Sequence, residues 1–306
     1  MSLLLPKANN TTSMKNYVLI TAARNEGAYI ELTLQSVTAQ TVLPRKWVIV
    51  SDGSTDETDE IAERYSKKHN FIDFIRIDRQ NHERNFASKV IAIREAYKHL
   101  QYIDYEYIGH LDADITFDDI HYYENMMNKF ALNPELGIIG GFIYEKKKGE
   151  FESRPFNNVY SVAGGIQLFK RSCYEVIGGF LPLELGGEDW YAEVVARMKG
   201  WKVESFPELP VLHHKPTLHT RGRLSEGFRQ GSMDYSLGSD PVFEIFKCLY
   251  RLKKNAHEST AFSRLCGYFW SFILRAERPV PVDFIRYLRK EQRNRLRTRF
   301  LSILFP

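Results

Sequence analysis

Cysteine is scarce in this chain, and its few copies follow no pattern. The three cysteines, Cys173, Cys248 and Cys266, stand far apart and lack the spacing of metal ligands. An odd, scattered set argues against a disulfide framework and is typical of a reducing compartment. The sequence therefore favours a cytoplasmic protein over a disulfide-stabilised secreted one.

Long apolar runs are absent as well. No stretch of about 18 uninterrupted apolar residues occurs, so we expect no transmembrane helix. Residues 1–16 begin with Leu3, Leu4 and Leu5 but continue with Pro6 and a polar run. A basic region followed by a long apolar core is missing there, so we expect an N-terminal tail and no signal peptide.

The two commonest glycine-rich phosphate loops are also missing. There is no Gly-x-Gly-x-x-Gly after the first predicted strand and no Gly-x-x-x-x-Gly-Lys-Ser/Thr anywhere. If the chain binds a diphosphate, a metal ion and basic side chains must neutralise it. The absence also disfavours a nucleotidyltransferase, which would need a glycine-rich loop with a basic residue at 21–26.

What is present is an ordinary globular composition with a regular alternation of elements. The chain has 306 residues, of which 43% are hydrophobic and 26% charged, with a net charge of +4. Apolar periodicity and the capping-box spacing of Ser54 and Glu57 predict, in order, strand 17–23, a helix from Asn25, strand 47–51, a helix from 54–57, strand 71–77, helix 86–100 and strand 107–111. This order predicts an α/β fold with a mostly parallel central sheet and helices on both faces.

Polar residues follow the ends of three of these strands. Arg24, Asp52 and the pair Asp112 and Asp114 all come just after a strand. In open parallel sheets, ligands bind at the carboxyl ends of the strands, so these side chains are expected to share a site. Asp112 and Asp114 lie two residues apart and can point the same way, which suits Mg²⁺ or Mn²⁺ holding a diphosphate. The alternative is a polar turn after a strand.

The second half of the predicted domain, which we place at 17–220, contributes further candidates. Gly164 and Gly165 open a predicted strand at 163–170, where glycine permits close approach of the backbone. Glu188 and Asp189 open a helix that reaches about Lys199. Asp189 either complements the helix dipole or acts as a general base at a cleft edge.

The order of these motifs resembles that of family-2 glycosyltransferases, the inverting, metal-dependent enzymes of the GT-A (Rossmann-like) fold. The resemblance covers about residues 15–215 and is closest to bacterial enzymes that build cell-surface polysaccharides and other glycans. It implies a nucleoside-diphosphate sugar donor, a UDP-sugar or GDP-sugar, and Mn²⁺ or Mg²⁺ as cofactor. We also expect a glycan or lipid-linked acceptor, because the sequence has a basic C-terminal segment and no recognisable export signal.

The resemblance implies a role for each candidate. The nucleotide contacts would be Ala22, Ala23, Arg24, Glu26, Asp52, Lys89 and Asp112. Asp114 would bind the metal, with Asp112 as a further possible ligand; His213 is favoured over His214 as the histidine ligand. Gly164, Gly165 and Glu188 would lie on the acceptor side, and Asp189 would be the base.

The chain also departs from the family pattern. Ala22-Ala23-Arg24 replaces a segment that more often carries proline and an aromatic residue, which leaves the nucleotide open. The Gln-x-x-Arg-Trp signature of processive members does not follow Asp189, so we expect one sugar transfer per visit. Arg84 and Arg221 are alternatives to Lys89 as the basic group near the diphosphate. A non-catalytic sugar-nucleotide-binding scaffold on the same fold is the main alternative function.

We predict a helical C-terminal extension at 221–306. Seven Lys and Arg residues against one Glu lie between Arg286 and Arg299, among apolar residues. This basic, partly amphipathic segment, 282–306, predicts peripheral contact with an anionic membrane, at the inner face of the cell membrane. The alternative is a helix packed on the catalytic domain with a solvated charged face. Nucleic acid is disfavoured because aromatics do not interleave with the charges; the oligomeric state is open.

Overall fold

The computed structural model describes residues 16–78, 85–147, 149–155, 157–215, 222–253 and 258–304. Its first half alternates strands and helices as predicted. The elements are β1 (Tyr17–Ala23), α1 (Ile30–Thr38), β2 (Lys46–Asp52), α2 (Thr58–Lys68), β3 (Ile72–Ile77), α3 (Ala87–Lys98) and β4 (Tyr107–His110). The four strands pair in parallel in the order β3-β2-β1-β4.

The second half extends the same sheet with both strand directions. It adds β5 (Ile115–Thr116), α4 (Tyr122–Leu132), β6 (Leu136–Lys147), β7 (Glu150–Ser153), β8 (Leu168–Lys170), α5 (Arg171–Ile177), α6 (Glu188–Met198) and β9 (Lys202–His213). The full order is β3-β2-β1-β4-β8-β6-β9-β5, with β7 paired to β6. β8 runs antiparallel to β4 and β6, whereas β6 and β9 are parallel. The α/β prediction is confirmed, with a mixed second half.

Burial of apolar side chains on both faces explains why β1 and β2 lie inside the sheet. Val18, Leu19 and Trp47 are buried in one continuous core with the inward faces of α1 and α3. The indole Nε1 of Trp47 donates a hydrogen bond to Thr21 Oγ1 at 3.0 Å, so the one polar atom of that ring is satisfied. The sheet is thereby fixed beneath the loops that follow its strands.

Three local predictions are wrong, and two of the errors come from polar contacts with distant residues. α1 begins at Ile30 and not at Asn25, because Asn25 has a left-handed φ of 53° and its side chain accepts the Thr55 N–H at 2.9 Å. Ser54 does not cap α2; its hydroxyl accepts the Asn25 N–H. Gly164 begins a short 3-10 helix, Gly164–Ile166, so the strand there starts only at Leu168.

Four helices make up the described part of the C-terminal extension: α7 (Arg223–Ser236), α8 (Pro241–Lys253), α9 (Glu258–Ile273) and α10 (Val282–Leu304). α7 and α9 pack with their backbones very close together, since a Cβ on Gly231 would lie 1.9 Å from Arg264 O. α10 packs on α6, with the rings of Tyr191 and Phe284 4.7 Å apart. The predicted boundary at 220 and 221 lies outside the described residues. None of the described helices has the length and apolar content needed to cross a bilayer.

Candidate active site

The site lies where β1, β2 and β4 end at the same edge of the sheet. Asp52, at the end of β2, is buried, and its backbone oxygen accepts a hydrogen bond from Arg24 Nη1 at 3.4 Å. The loop after β1 is tied to the loop after β2, because Gly27 N–H donates to Asp56 Oδ2 at 2.9 Å. Arg24 and Asp52 are thus brought together, as the strand order predicts.

Ala22 and Ala23 end β1, and Glu26 follows in the same loop. Glu26 forms an ion pair with Lys215 at 2.6 Å, across 189 residues of sequence. Burial raises the pKa of Glu26, although Lys215 opposes the shift. Sequence reasoning missed Lys215, because nothing local to residue 215 indicates a partner near residue 26.

Asp112 is held from two sides. Lys89 Nζ donates to Asp112 Oδ1 at 2.5 Å, and the Asp112 N–H donates to Gly165 O at 2.9 Å. Burial alone would lower the pKa of Lys89, but the charges of Asp112 and Glu188 raise it above its ordinary value. Lys89 is therefore a fixed positive charge at this edge. Gly165 has to be glycine, because a Cβ there would lie 2.5 Å from Asp112 Oδ2.

Asp114 and His213 face each other. His213 Nε2 lies 3.2 Å from Asp114 Oδ2, since β5 pairs Ile115 with His213 in its register. Burial lowers the pKa of His213, but the hydrogen bond and charge of Asp114 outweigh it and raise the value. The ring of His214 points elsewhere, with Nε2 2.8 Å from Thr116 Oγ1. Of the two histidines, His213 is the one beside the aspartate.

The donor set of Asp114 and His213 fits a divalent cation. Asp114 Oδ1 is buried and has no hydrogen-bond partner, so a lone pair is available at a desolvated position. Within the described ranges, no group of three or more His, Cys, Asp or Glu side chains forms a metal cage. A cage is not required for Mg²⁺ bound with a nucleotide, which uses one or two protein carboxylates and takes its other ligands from phosphates and water.

Asp189 occupies the first turn of α6, after two glycines in left-handed conformation, Gly186 and Gly187. Asp189 Oδ2 accepts the Gly164 N–H at 3.1 Å, and Oδ1 accepts the Trp190 N–H at 2.7 Å. A Cβ on Gly164 would lie 2.8 Å from Asp189, so only glycine allows this approach. The carboxylate direction is fixed by the backbone on both sides.

Glu188 and Asp189 belong to one electrostatic cluster with Lys89 and Asp112. Burial and the neighbouring charge of Asp189 raise the pKa of Glu188, while Lys89 opposes the shift. The charges of Lys89 and Asp112 both act on Glu188, so the start of α6 lies near the end of β4. Two other basic candidates, Arg84 and Arg221, lie outside the described residues.

Glu193 was missed by sequence reasoning, although it supports the same backbone segment. It is buried one turn after Asp189 and accepts the Val162 N–H at 2.6 Å and the Ser161 hydroxyl at 3.1 Å. Burial raises the pKa of Glu193 to about 7, although the charge of Arg197 opposes the shift. Asp189 and Glu193 thus hold residues 161–164 from one face of α6. A glutamate at i+4 from Asp189 was the available signal.

Replacing Glu193 with glutamine is expected to remove a pH dependence of stability. With a folded pKa of about 7, above the unfolded value, the native state binds more protons, so the free energy of unfolding falls as pH rises from about 4.5 to about 7. At 1.36 kcal/mol per pKa unit the total fall is about 3 kcal/mol. Urea unfolding across this interval should be flatter in Glu193→Gln than in wild type. Exposed Glu60→Gln is the control, and an unchanged slope in Glu193→Gln would contradict the assignment.

The comparisons with known proteins agree with this arrangement. The sequence pattern described as "Glycosyl transferase family 2" matches residues 18–181, more than half of the chain. This chain is a family-2 glycosyltransferase. The matched residues include the ends of β1, β2 and β4 and the Gly164-Gly165 pair, so the family match contains most of the candidate site.

This family-2 enzyme is 26% identical over 217 residues to the poly-beta-1,6-N-acetyl-D-glucosamine synthase of Staphylococcus aureus (strain COL). The aligned region covers 65% of this chain and 50% of the synthase. The chain thus spans about half the length of the curated relatives that it matches.

Solved structures share the fold of this family-2 enzyme. The mannosyltransferase PcManGT from Pyrobaculum calidifontis, solved with GDP-Man and Mn²⁺, superposes with a TM-score of 0.53 at 17% sequence identity. The superposition covers 89% of this chain and 78% of the PcManGT chain. Residues 1–349 of S. aureus TarS, solved with UDP-GlcNAc, have a TM-score of 0.54 at 13% identity, covering 90% and 82%. At these identities the likeness establishes the GT-A fold.

Proposed function

We propose that this chain transfers one sugar from a nucleoside-diphosphate sugar to an acceptor hydroxyl, with inversion at the anomeric carbon. The observation that carries the proposal is the Gly164-Gly165 pair. Gly164 N–H binds Asp189, and the next residue, Gly165, accepts the Asp112 N–H. One dipeptide therefore holds the proposed base and the proposed donor-side carboxylate next to each other, as a direct displacement requires.

The residues divide the chemistry between them. Asp189 takes the proton of the acceptor hydroxyl as that oxygen attacks the anomeric carbon, and no second carboxylate nucleophile is needed. Lys89 supplies a fixed positive charge beside Asp112 at the donor side. Arg24 and Asp52 line the nucleotide end. Asp114 and His213 would hold Mn²⁺ or Mg²⁺, which stabilises negative charge on a departing nucleoside diphosphate when it is bound.

The relatives support the proposed donor and acceptor classes. PcManGT was solved with GDP-Man and Mn²⁺, and TarS with UDP-GlcNAc, which supports a GDP- or UDP-sugar donor. The name of the S. aureus synthase describes a polysaccharide product, which supports a glycan or lipid-linked acceptor. We place the reaction at the cytoplasmic face of the cell membrane, where nucleotide sugars and lipid-linked glycans meet.

Thermal shift with a panel of nucleoside diphosphates and Mn²⁺ tests the donor half of the proposal. A ligand at 100 times its Kd is expected to raise the free energy of unfolding by about 2.7 kcal/mol. We expect UDP or GDP to stabilise the protein only with metal. NMR of the anomeric proton during turnover of the matching sugar nucleotide should then show the inverted configuration. Failure of every nucleotide to stabilise the protein would contradict the proposed donor site, whereas nucleotide binding without sugar transfer would favour the non-catalytic scaffold.

A further inference from the structure

Helix α8 is amphipathic, but its apolar side faces outward and its charged side faces inward, which is the reverse of an ordinary surface helix. Its outward positions Val242, Ile245, Leu249 and Leu252 are 52%, 39%, 51% and 37% exposed. They recur at alternating spacings of three and four residues, so they form one apolar stripe along the helix. A solvated surface helix would carry charged residues at these positions.

The inward face of α8 carries the charges instead. Glu244 is fully buried and accepts hydrogen bonds from Ser239 Oγ at 2.6 Å and Lys247 Nζ at 2.8 Å. Lys247 also pairs with Asp234 of α7 at 3.0 Å, and Arg264 of α9 pairs with the same aspartate at 2.6 Å. This network pairs the buried charges with opposite charges and fixes the orientation of α8, although Glu244 Oε2 has no hydrogen-bond partner among the described residues. The apolar stripe is therefore held outward.

Helix α9 presents a second outward apolar stripe. Phe262, Trp270 and Ile273 are 69%, 55% and 72% exposed, and exposed Cys266 lies between the first two. The spacing again places them along one side of a helix, and α8 and α9 are packed neighbours. Exposed apolar side chains on two neighbouring helices are typical of an interaction site. We call the outward stripes of α8 and α9 the apolar surface.

Charge decides which occupant fits the apolar surface. Residues 222–306 contain sixteen Lys and Arg against eight Asp and Glu, whereas residues 1–221 contain 26 against 30. Arg293, a largely exposed side chain, pairs with Asp240 two residues before Val242, so one arginine of α10 lies near the start of the α8 stripe. A two-fold dimer would place this positive region against itself. An anionic bilayer attracts it instead, because each basic residue near the surface strengthens binding.

We propose that the apolar surface binds a bilayer that contains anionic lipid, with its aromatic and aliphatic side chains in the headgroup region. The sequence places this contact in 282–306. Phe284 and Leu288 of α10 are buried against the rest of the protein and are not available to a bilayer, while contact through the rest of 282–306 stays a prediction. In this proposal α10 contributes charge, and α8 and α9 supply the apolar anchor. This inference concerns binding and does not depend on the transfer reaction.

Flotation of the full chain with vesicles tests the proposal. We expect co-flotation with phosphatidylcholine vesicles that contain phosphatidylglycerol, much weaker binding to phosphatidylcholine alone, and loss of binding at high salt. The double variant Leu249→Gln, Ile273→Gln removes two anchors and is expected to lower the partition coefficient by roughly tenfold or more. Leu132→Gln, at an 82% exposed position on α4, is the matched control and should bind like wild type.

A second pair, Val242→Gln with Phe262→Gln, provides the same test if the first pair folds poorly by circular dichroism. Equal flotation of wild type and a folded double variant would overturn the proposal. So would failure of the wild type to bind anionic vesicles. Light scattering that shows a dimer in wild type and a monomer in the double variant would assign the apolar surface to a second copy, which also overturns it.

Discussion

Asp189→Asn is expected to lower kcat by about three orders of magnitude while nucleotide affinity stays nearly unchanged. The amide has the shape of the carboxylate, and its oxygen can still accept the Gly164 N–H. In the wild type this N–H lies 3.1 Å from Asp189 Oδ2. It cannot take a proton from the acceptor hydroxyl. Steady-state kinetics with calorimetry of nucleotide binding would separate the loss of chemistry from a loss of donor binding.

The control for this prediction is another aspartate in the first turn of a helix. Asp283 opens α10, is exposed and pairs with Arg286 at 3.2 Å. If Asp189 only complemented the dipole of α6, Asp189→Asn and Asp283→Asn would both change stability by about 0.3–1 kcal/mol and leave kcat alone. Retention of full kcat by Asp189→Asn would exclude the base role. Loss of nucleotide affinity would make Asp189 a structural residue.

The first four strands and the edge where their loops meet were predictable from sequence because their signals are local. Each buried strand is a short apolar run, and each polar group stands directly after it. Parallel pairing then brings Arg24, Asp52 and Asp112 to one edge without any knowledge of side-chain contacts. The site at this edge follows from topology alone.

The contacts that complete the candidate site were not predictable in the same way. Lys215 meets Glu26 across 189 residues, and Glu193 holds a backbone segment 31 residues away. Such pairs depend on how distant segments pack together, which the local sequence does not specify. The polarity of α8 was not predictable for a similar reason. Lys247 pairs with Glu244 of the same helix but also with Asp234 of α7, which in turn pairs with Arg264 of α9.

The second large effect is expected for Asp114→Asn, which should abolish metal-dependent nucleotide binding and lower kcat/KM by about 10²- to 10³-fold. Of the two aspartates after β4, Asp112 already has Lys89 at 2.5 Å, whereas Asp114 keeps a buried oxygen without a partner. The measurement is thermal shift with a nucleoside diphosphate, with and without Mn²⁺, followed by EDTA.

Asp118→Asn is the control, because Asp118 lies four residues after Asp114 and is exposed; this variant should respond to metal like wild type.

The two histidines provide a second test of the metal site. His213 faces Asp114, whereas His214 contacts Thr116. His213→Gln should therefore reduce the metal-dependent thermal shift, whereas His214→Gln should leave it unchanged. If Asp114→Asn keeps the full metal-dependent shift while Asp112→Asn loses it, the cation lies on the Lys89 side, and Asp114 and His213 form a structural pair at the end of β9.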